Sequence, residues 1–123
     1  MKKLLFAFLL LPGAVQAQIA VNGVSLDSLK DLKLLQIVVY ARQNLKDQRI
    51  YIDYGQKKED FQIAYRVTFG KSRESKQLKS TVEAMNIFEN NGWEYLHSVA
   101  FPTTETGGSP TLYLTFRRKP SGK

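Results

Sequence analysis

The stretch from Ser80 to Lys119 places the strongest limits on how this chain can fold. Ser80 and Glu83 have the spacing of a capping box, in which each side chain accepts a hydrogen bond from the other residue's backbone amide. Apolar residues then recur at helical spacing, and Gly92 tolerates the positive φ that often ends a helix. A helix of about three turns is unstable alone in water, so it must pack on an apolar surface.

Two strands after the helix are predicted to supply that surface. Residues 93–101 are rich in aromatic and β-branched side chains, which favour strands. Residues 111–118 alternate with a period of two, with Leu112, Leu114 and Phe116 on one face. The connection between them holds two prolines and two adjacent glycines, as is typical of a loop. The pattern therefore predicts a helix followed by a hairpin.

Three more strands are predicted before the helix. Leu34 to Arg42 and Arg49 to Tyr54 flank the turn residues 44–47 and so indicate a hairpin. Phe61 to Phe69 alternates at five apolar positions, which favours a third strand. The order β-β-β-α-β-β predicts an α+β fold, with one antiparallel sheet of four to five strands and one helix packed on one face. The expected core is Leu35, Ile37, Val39, Ile50, Ile52, Ile63, Val67, Val82, Met85, Phe88, Leu112, Leu114 and Phe116.

The N-terminus has the pattern of a secretory signal peptide. Lys2 and Lys3 precede the apolar run from Leu4 to Leu11, and small residues occupy the positions before a cleavage point near Ala17. The run is too short to cross a hydrocarbon core, which needs about 20 apolar residues, so no transmembrane segment is expected. We divide the chain into a signal peptide at 1–17, a lead-in segment at 18–33, a single α+β domain at 34–119 and a basic tail at 120–123. The mature protein is expected to be periplasmic or secreted.

Composition excludes several kinds of site. The chain has no cysteine, which excludes disulfides, thiolate metal sites and a cysteine nucleophile. His97 is the single histidine, so neither a transition-metal site nor a cofactor is expected. The formal net charge is +7, and removal of the leader would lower it by two. Basic and aromatic residues on one sheet face could suggest nucleic acid, but export argues against that partner.

No catalytic constellation is recognisable in the sequence. A carboxylate hydrolase needs acidic side chains facing each other across a cleft, and the candidates are Asp53, Glu94 and the lone base His97. No Gly-x-Ser-x-Gly turn and no phosphate-binding glycine loop is present. The sequence therefore assigns no catalytic residue. A small periplasmic hydrolase or ligand-processing protein is kept as the alternative function.

One helix can cover only one face of the sheet, so the opposite face is expected to have no helix packed on it. That face is expected to carry Val38, Tyr40, Tyr51 and either Trp93 or Tyr113. Exposed apolar and aromatic area of this kind often marks a contact surface. Two arrangements remain open: the lead-in segment covers this face, or a partner does, including a second copy in a homodimer. In strand 93–101 it is also open whether the odd-numbered aromatic residues or Leu96, Ser98 and Ala100 are buried.

The segment from Ala84 to Lys119 resembles a family of small bacterial exported domains of unknown function. Their signature is a helix, the tripeptide Gly92-Trp93-Glu94 and a strand, followed by a closing strand that ends in basic residues. The sequence of Ile50 to Lys57 adds to the likeness. The resemblance implies the fold and export, and it carries over no catalytic residue. The leading interpretation is a non-enzymatic binding or protein-interaction module of the cell envelope, with an unknown protein or glycan partner.

Overall fold

The computed structural model of the chain describes residues 19–40, 49–61, 63–69, 75–102 and 110–120. The predicted signal peptide at 1–17, the predicted turn at 44–47 and the end of the basic tail lie outside these residues. In chain order, the elements are β1 (Ala20–Val21), β2 (Val24–Ser25), a 3-10 turn (Leu26–Ser28), β3 (Leu34–Tyr40), β4 (Arg49–Asp53), α1 (Lys58–Phe61), β5 (Arg66–Thr68), β6 (Ser75–Gln77), α2 (Thr81–Asn90), β7 (Trp93–Phe101) and β8 (Thr111–Arg118). The predicted α+β class is confirmed.

The longer strands form the main sheet, which has four antiparallel strands in the order β4-β3-β8-β7. β3 lies at the centre, with Ile37 opposite Ile52 on one side and opposite Leu114 on the other. Both neighbours of β3 alternate apolar and polar residues in phase with it, so all three strands turn one apolar face to the same side. The hairpin of β7 and β8 forms as the sequence predicts.

A second antiparallel sheet, in the order β2-β1-β5-β6, is built from strands of two or three residues. The predicted third strand at 61–69 is confirmed only for Arg66–Thr68, and this strand pairs with β1 rather than with the main sheet. The residues before it turn instead: the amide of Phe61 donates to Lys57 O at 3.0 Å, and that of Ala64 donates to Phe61 O at 3.1 Å. This turn places Phe61 and Tyr65 both against the ring of Tyr51.

One hydrophobic core joins the inner face of the main sheet, the second sheet and α2. The lead-in segment contributes Ile19, Val21 and Leu26, which are buried in the same cluster as Ile37 and Phe116. The described part of the lead-in therefore packs on the inner face, and it does not cover the opposite face. Two expected core residues are wrong, since Ile63 is 46% exposed and Val82 is 64% exposed. Met85 and Leu112 are partly buried.

Helix α2 begins after Ser80, whose Oγ accepts a hydrogen bond from the Glu83 amide at 3.4 Å. The carboxylate of Glu83 forms an ion pair with Lys76 and accepts a hydrogen bond from the Lys79 amide. The bond to the Lys79 amide takes the place of the bond to the Ser80 amide that the capping box predicts. Ala84, Ile87 and Phe88 form the buried stripe of the helix. The chain leaves the helix through Gly92, at φ +92°.

A β-bulge at Leu96 divides β7 into two halves that face differently. Tyr95 lies opposite Phe116 and His97 lies opposite Thr115, which leaves Leu96 as the extra residue. Before the bulge, Trp93 and Tyr95 are on the inner face; after it, the odd-numbered residues are on the outer face. Neither alternative drawn from strict alternation is right for the whole strand, because the bulge shifts the period by one residue.

Candidate binding face of the main sheet

The outer face of the main sheet is a grid of twelve side chains in three rows across β4, β3, β8 and β7. The first row is polar, the second is apolar and aromatic, and the third is mixed. In strand order, the rows are Asp53, Gln36, Thr115 and His97; then Tyr51, Val38, Tyr113 and Val99; then Arg49, Tyr40, Thr111 and Phe101. We use "outer face" for this set. The strict alternation of β3 and β8 is what brings these side chains to one side.

Exposure on the outer face is low at the centre and high along β7. Val38 at the centre is only 1% exposed, because the rings of Tyr51 and Tyr113 flank it on the neighbouring strands. Val99 and Phe101, on the edge strand, are 43% and 55% exposed. The centre of the outer face is therefore closely packed, whereas Val99 and Phe101 form an open apolar margin that is exposed to solvent. Exposed apolar area gathered in this way is typical of a contact surface.

Aromatic rings pack against one another at two places on this face. Tyr51 meets Tyr40 edge-on at 5.6 Å between ring centroids, and Phe61 of α1 and Tyr65 contact its other sides at 5.5 and 6.0 Å. Phe101 meets Tyr113 edge-on at 5.3 Å. Rings fixed by such neighbours lose little conformational entropy when a partner binds, which favours their use as anchors.

A pocket of about 350 Å³ opens beside the Tyr51 cluster. It is lined by Arg49 and Gln77 as well as by Tyr51 and Tyr65. A guanidinium and an amide therefore stand at the border of the aromatic cluster, and they can donate hydrogen bonds to a partner.

Electrostatics on the outer face is set by close neighbours. Burial raises the pKa of Tyr40, and the nearby Tyr113, Tyr51 and Asp53 raise it further, so its hydroxyl stays protonated. At the start of β7, Arg117 Nε donates a hydrogen bond to Glu94 Oε2 at 2.7 Å, and this bond raises the pKa of Arg117. The half of β7 after the bulge carries no Asp, Glu, Lys or Arg.

The residues considered for catalysis do not converge. Asp53 and His97 share a row of the outer face but lie on its two edge strands, three strand spacings or about 14 Å apart. Asp53 Oδ1 accepts from the Gly55 amide at 3.0 Å, and Glu94 is held by Arg117. Gln36 Nε2, between the two edges, donates to Thr115 Oγ1 at 3.2 Å. Among the described residues, no group of three His, Cys, Asp or Glu side chains could hold a metal ion.

Trp93 of the Gly-Trp-Glu tripeptide belongs to the hydrophobic core. Trp93 is 2% exposed on the inner face, and the guanidinium carbon of Arg118 lies 5.1 Å from its ring centroid. Arg118 Nη2 donates to the carbonyls of Leu26 and Leu29 at 2.8 and 3.2 Å, which ties the 3-10 turn to the end of β8. Sequence reasoning missed this contact, because nothing in the local pattern links residues so far apart in the chain.

The comparisons with known proteins add no function to this geometry. No protein-family model, no curated protein and no solved structure matches the chain significantly. In the described part of the chain, no helix is long and apolar enough to cross a membrane.

Proposed function

We propose that this chain is an exported, non-enzymatic module of the cell envelope that binds another protein through the outer face of its main sheet. The observation that carries the proposal is the open apolar margin formed by Val99 and Phe101 beside the ring of Tyr113. Export is proposed from the leader-like sequence at 1–17.

A protein partner fits this face better than a glycan. Saccharides are held by flat ring platforms and several hydrogen-bonding groups, whereas Phe101 and Tyr113 meet edge-on at an interplanar angle of 89°. The apolar residues Val99 and Phe101 are exposed, and Arg49 lies on the same row as Tyr40 and Phe101. Aromatic residues with a neighbouring arginine are the usual anchors of protein interfaces.

The hydrolase alternative receives no support from the geometry. The separation of Asp53 from His97 keeps this acid and this base from reaching one substrate atom, and the Glu94 carboxylate is engaged by Arg117. The exposed apolar margin of the outer face therefore supports a binding module independently of these residues.

Site-specific photo-crosslinking in intact cells tests the proposal. A photoreactive phenylalanine analogue is placed at Phe101 in the full chain, and separately at Val82, which is 64% exposed on the far side of α2 from the core. We expect an adduct with a different protein from Phe101, whether or not an adduct with a second copy of this chain accompanies it, and none from Val82. Tyr40→Asp in the Phe101 probe variant should remove the adduct, since it places a charge in the same row.

Three results would overturn the proposal. The first is the absence of any protein adduct at Phe101, which would leave glycan as the ligand to examine. The second is an equal yield of the adduct from Val82. The third is an adduct that contains only a second copy of this chain. Thermal unfolding of each variant serves as the control for folding.

A further inference from the structure

The two edges of the main sheet are closed to different degrees. At the β4 edge, the amide of Ile52 donates to Ala64 O at 2.8 Å, so the segment after α1 occupies that edge. Arg49 and Asp53 also place charges at both ends of β4. Charges and covering segments are the usual means by which proteins prevent an edge strand from pairing with another chain.

The first half of β7 is closed by the helix. The amide of Tyr95 points away from β8 and donates to Glu89 Oε1 at 2.7 Å. The side chain of Glu89 thus takes the place that a neighbouring strand would occupy. The ion pair of Glu94 with Arg117 adds charge at this end of the strand.

Among the residues that the structure describes, none pairs with the outer side of the second half of β7. Arg118 N donates to Lys33 O, on the β3 side of β8, whereas Lys119 N donates to Gly92 O on the β7 side. Odd-numbered residues of β8 therefore direct their backbone groups toward β7, and their partners after the bulge are His97, Val99 and Phe101. By alternation, Ser98 and Ala100 direct their amides and carbonyls outward.

This outward edge has the properties of a pairing site. Residues 96–101 are exposed on both faces of the strand, contain no proline and carry no Asp, Glu, Lys or Arg. β7 is the terminal strand of its sheet among the described residues. An exposed, uncharged edge of this length is a template for the addition of another strand.

We propose that β7 pairs antiparallel with the same strand of a second copy, around a two-fold axis at Val99. Ser98 then lies opposite Ala100 of the second copy, and their outward backbone groups form two pairs of hydrogen bonds across the axis. Val99 meets its own counterpart on the outer face, and His97 meets Phe101. In this register the hydrogen bonds come from Ser98 and Ala100, the two residues whose backbone groups point outward. Leu96, the extra residue of the bulge, forms none of them.

A second copy fits this edge better than an unrelated peptide for two reasons. The strand is self-complementary in the Val99 register, because Ser98 meets Ala100, Val99 meets Val99 and the ring of His97 meets the ring of Phe101. It is also a neutral stretch in a chain with a formal net charge of +7, so two copies can approach here without bringing like charges together. The contact is small, so the dimer is expected to be weak and concentration-dependent. The inference does not depend on the protein partner proposed above.

Disulfide trapping tests the proposal, since the chain has no cysteine of its own. Residues opposite each other in a non-hydrogen-bonded pair have Cα atoms about 4.5 Å apart, which a disulfide can bridge. Val99→Cys in the full chain should therefore oxidise to a covalent dimer. Ser98→Cys should not, because its counterpart is displaced by two residues along the strand. Val82→Cys, on the exposed side of α2, reports random collision. Trapping of Val99→Cys no faster than Val82→Cys, or preferential trapping of Ser98→Cys, overturns the proposal.

Sedimentation of the purified chain gives a second measurement. The mass of the wild-type chain should rise with concentration, and Ala100→Pro should remain monomeric. Proline at this position removes an outward amide and leaves the bonds to β8 intact, so the monomer keeps its fold. A wild-type chain that stays monomeric at every concentration refutes the dimer and leaves the photo-crosslinking experiment unaffected. Absence of a photo-adduct with another protein refutes the proposed function and leaves the dimer standing.

Discussion

Glu89 Oε1 accepts a hydrogen bond of 2.7 Å from the amide of Tyr95, so the last turn of α2 satisfies the free edge of the strand that follows it. The same carboxylate lies 3.3 Å from Lys119 Nζ, beyond the end of β8. One side chain therefore links the helix, the edge strand and the terminus of its neighbour. It also marks the boundary between the closed and the open halves of β7.

Two substitutions of Glu89 distinguish the contribution of its hydrogen bond to stability from the contribution of its negative charge. Glu89→Ala removes the acceptor for the Tyr95 amide and should lower the free energy of unfolding by about 1 kcal/mol. Glu89→Gln retains an acceptor oxygen and should cost less. Urea denaturation at pH 7 measures both. If Glu89→Gln is as destabilising as Glu89→Ala, the charge rather than the hydrogen bond is what stabilises this junction.

The pH dependence of stability should follow from the same carboxylate. The hydrogen bond from the Tyr95 amide, assisted by Lys119, holds the pKa of Glu89 below its ordinary value of 4.5. A group with a lowered folded-state pKa stabilises the protein above the unfolded-state pKa, and this stability is lost as pH falls through the folded-state value. The unfolding midpoint should therefore drop as pH falls below 4.5, and Glu89→Gln should make this drop shallower. A profile identical to that of the wild type would contradict the assignment.

Arg118 is expected to fix the lead-in segment to the domain. Arg118→Lys keeps the charge but loses the planar group that reaches the carbonyls of Leu26 and Leu29, so the loss should be about 1–3 kcal/mol. Amide hydrogen exchange in residues 19–32 should accelerate more than in β3. The matched control is Arg117→Lys, next in the chain but exposed to solvent, which should leave the unfolding midpoint almost unchanged. Equal effects of the two variants would refute the link.

The orientation of α2 predicts opposite results for two of its apolar residues. Phe88 is fully buried, so Phe88→Ala should cost about 3–5 kcal/mol by leaving a cavity. Val82 is 64% exposed, and Val82→Ala should be neutral or slightly stabilising, because alanine has the higher helix propensity. Thermal unfolding distinguishes them. A large loss from Val82→Ala would mean that the helix turns its other side to the core.

The elements that were predicted correctly are those whose own residues show a cap, a glycine exit or a regular period. The cap at Ser80, the exit at Gly92 and the alternation of β8 are all visible within a few residues, and each appears in the structure. The α+β class followed from their order. Short-range patterns are informative where each residue's environment is set by its own element.

The second sheet could not be predicted in this way, because its strands are too short to show a period. β1 and β2 have two residues each and are defined only by pairing with each other and with β5. At 61–69 the period was clear but misleading. The chain turns before Arg66 and places Phe61 against Tyr51, a contact between distant parts of the sequence that no local period shows.

The outer face was predicted in part. Val38, Tyr40 and Tyr51 lie on it as expected, and the choice between Trp93 and Tyr113 is resolved in favour of Tyr113. Its open margin on β7 was not predictable, because a bulge leaves no mark on a pattern that assumes strict alternation.

Deletion of Leu96 tests the bulge directly. Because Leu96 is the extra residue between Tyr95 and His97, its removal should leave each remaining side chain on its present face and restore a regular ladder. The variant should keep Trp93 buried, as read by its fluorescence, and unfold within a few degrees of the wild type, at a cost of no more than about 1 kcal/mol. Deletion of Ser98 is the matched control. It moves Val99 and Phe101 toward the inner face and Ala100 to the outer face, so it should lower the midpoint clearly. If both deletions are equally damaging, β7 does not depend on a bulge at this position.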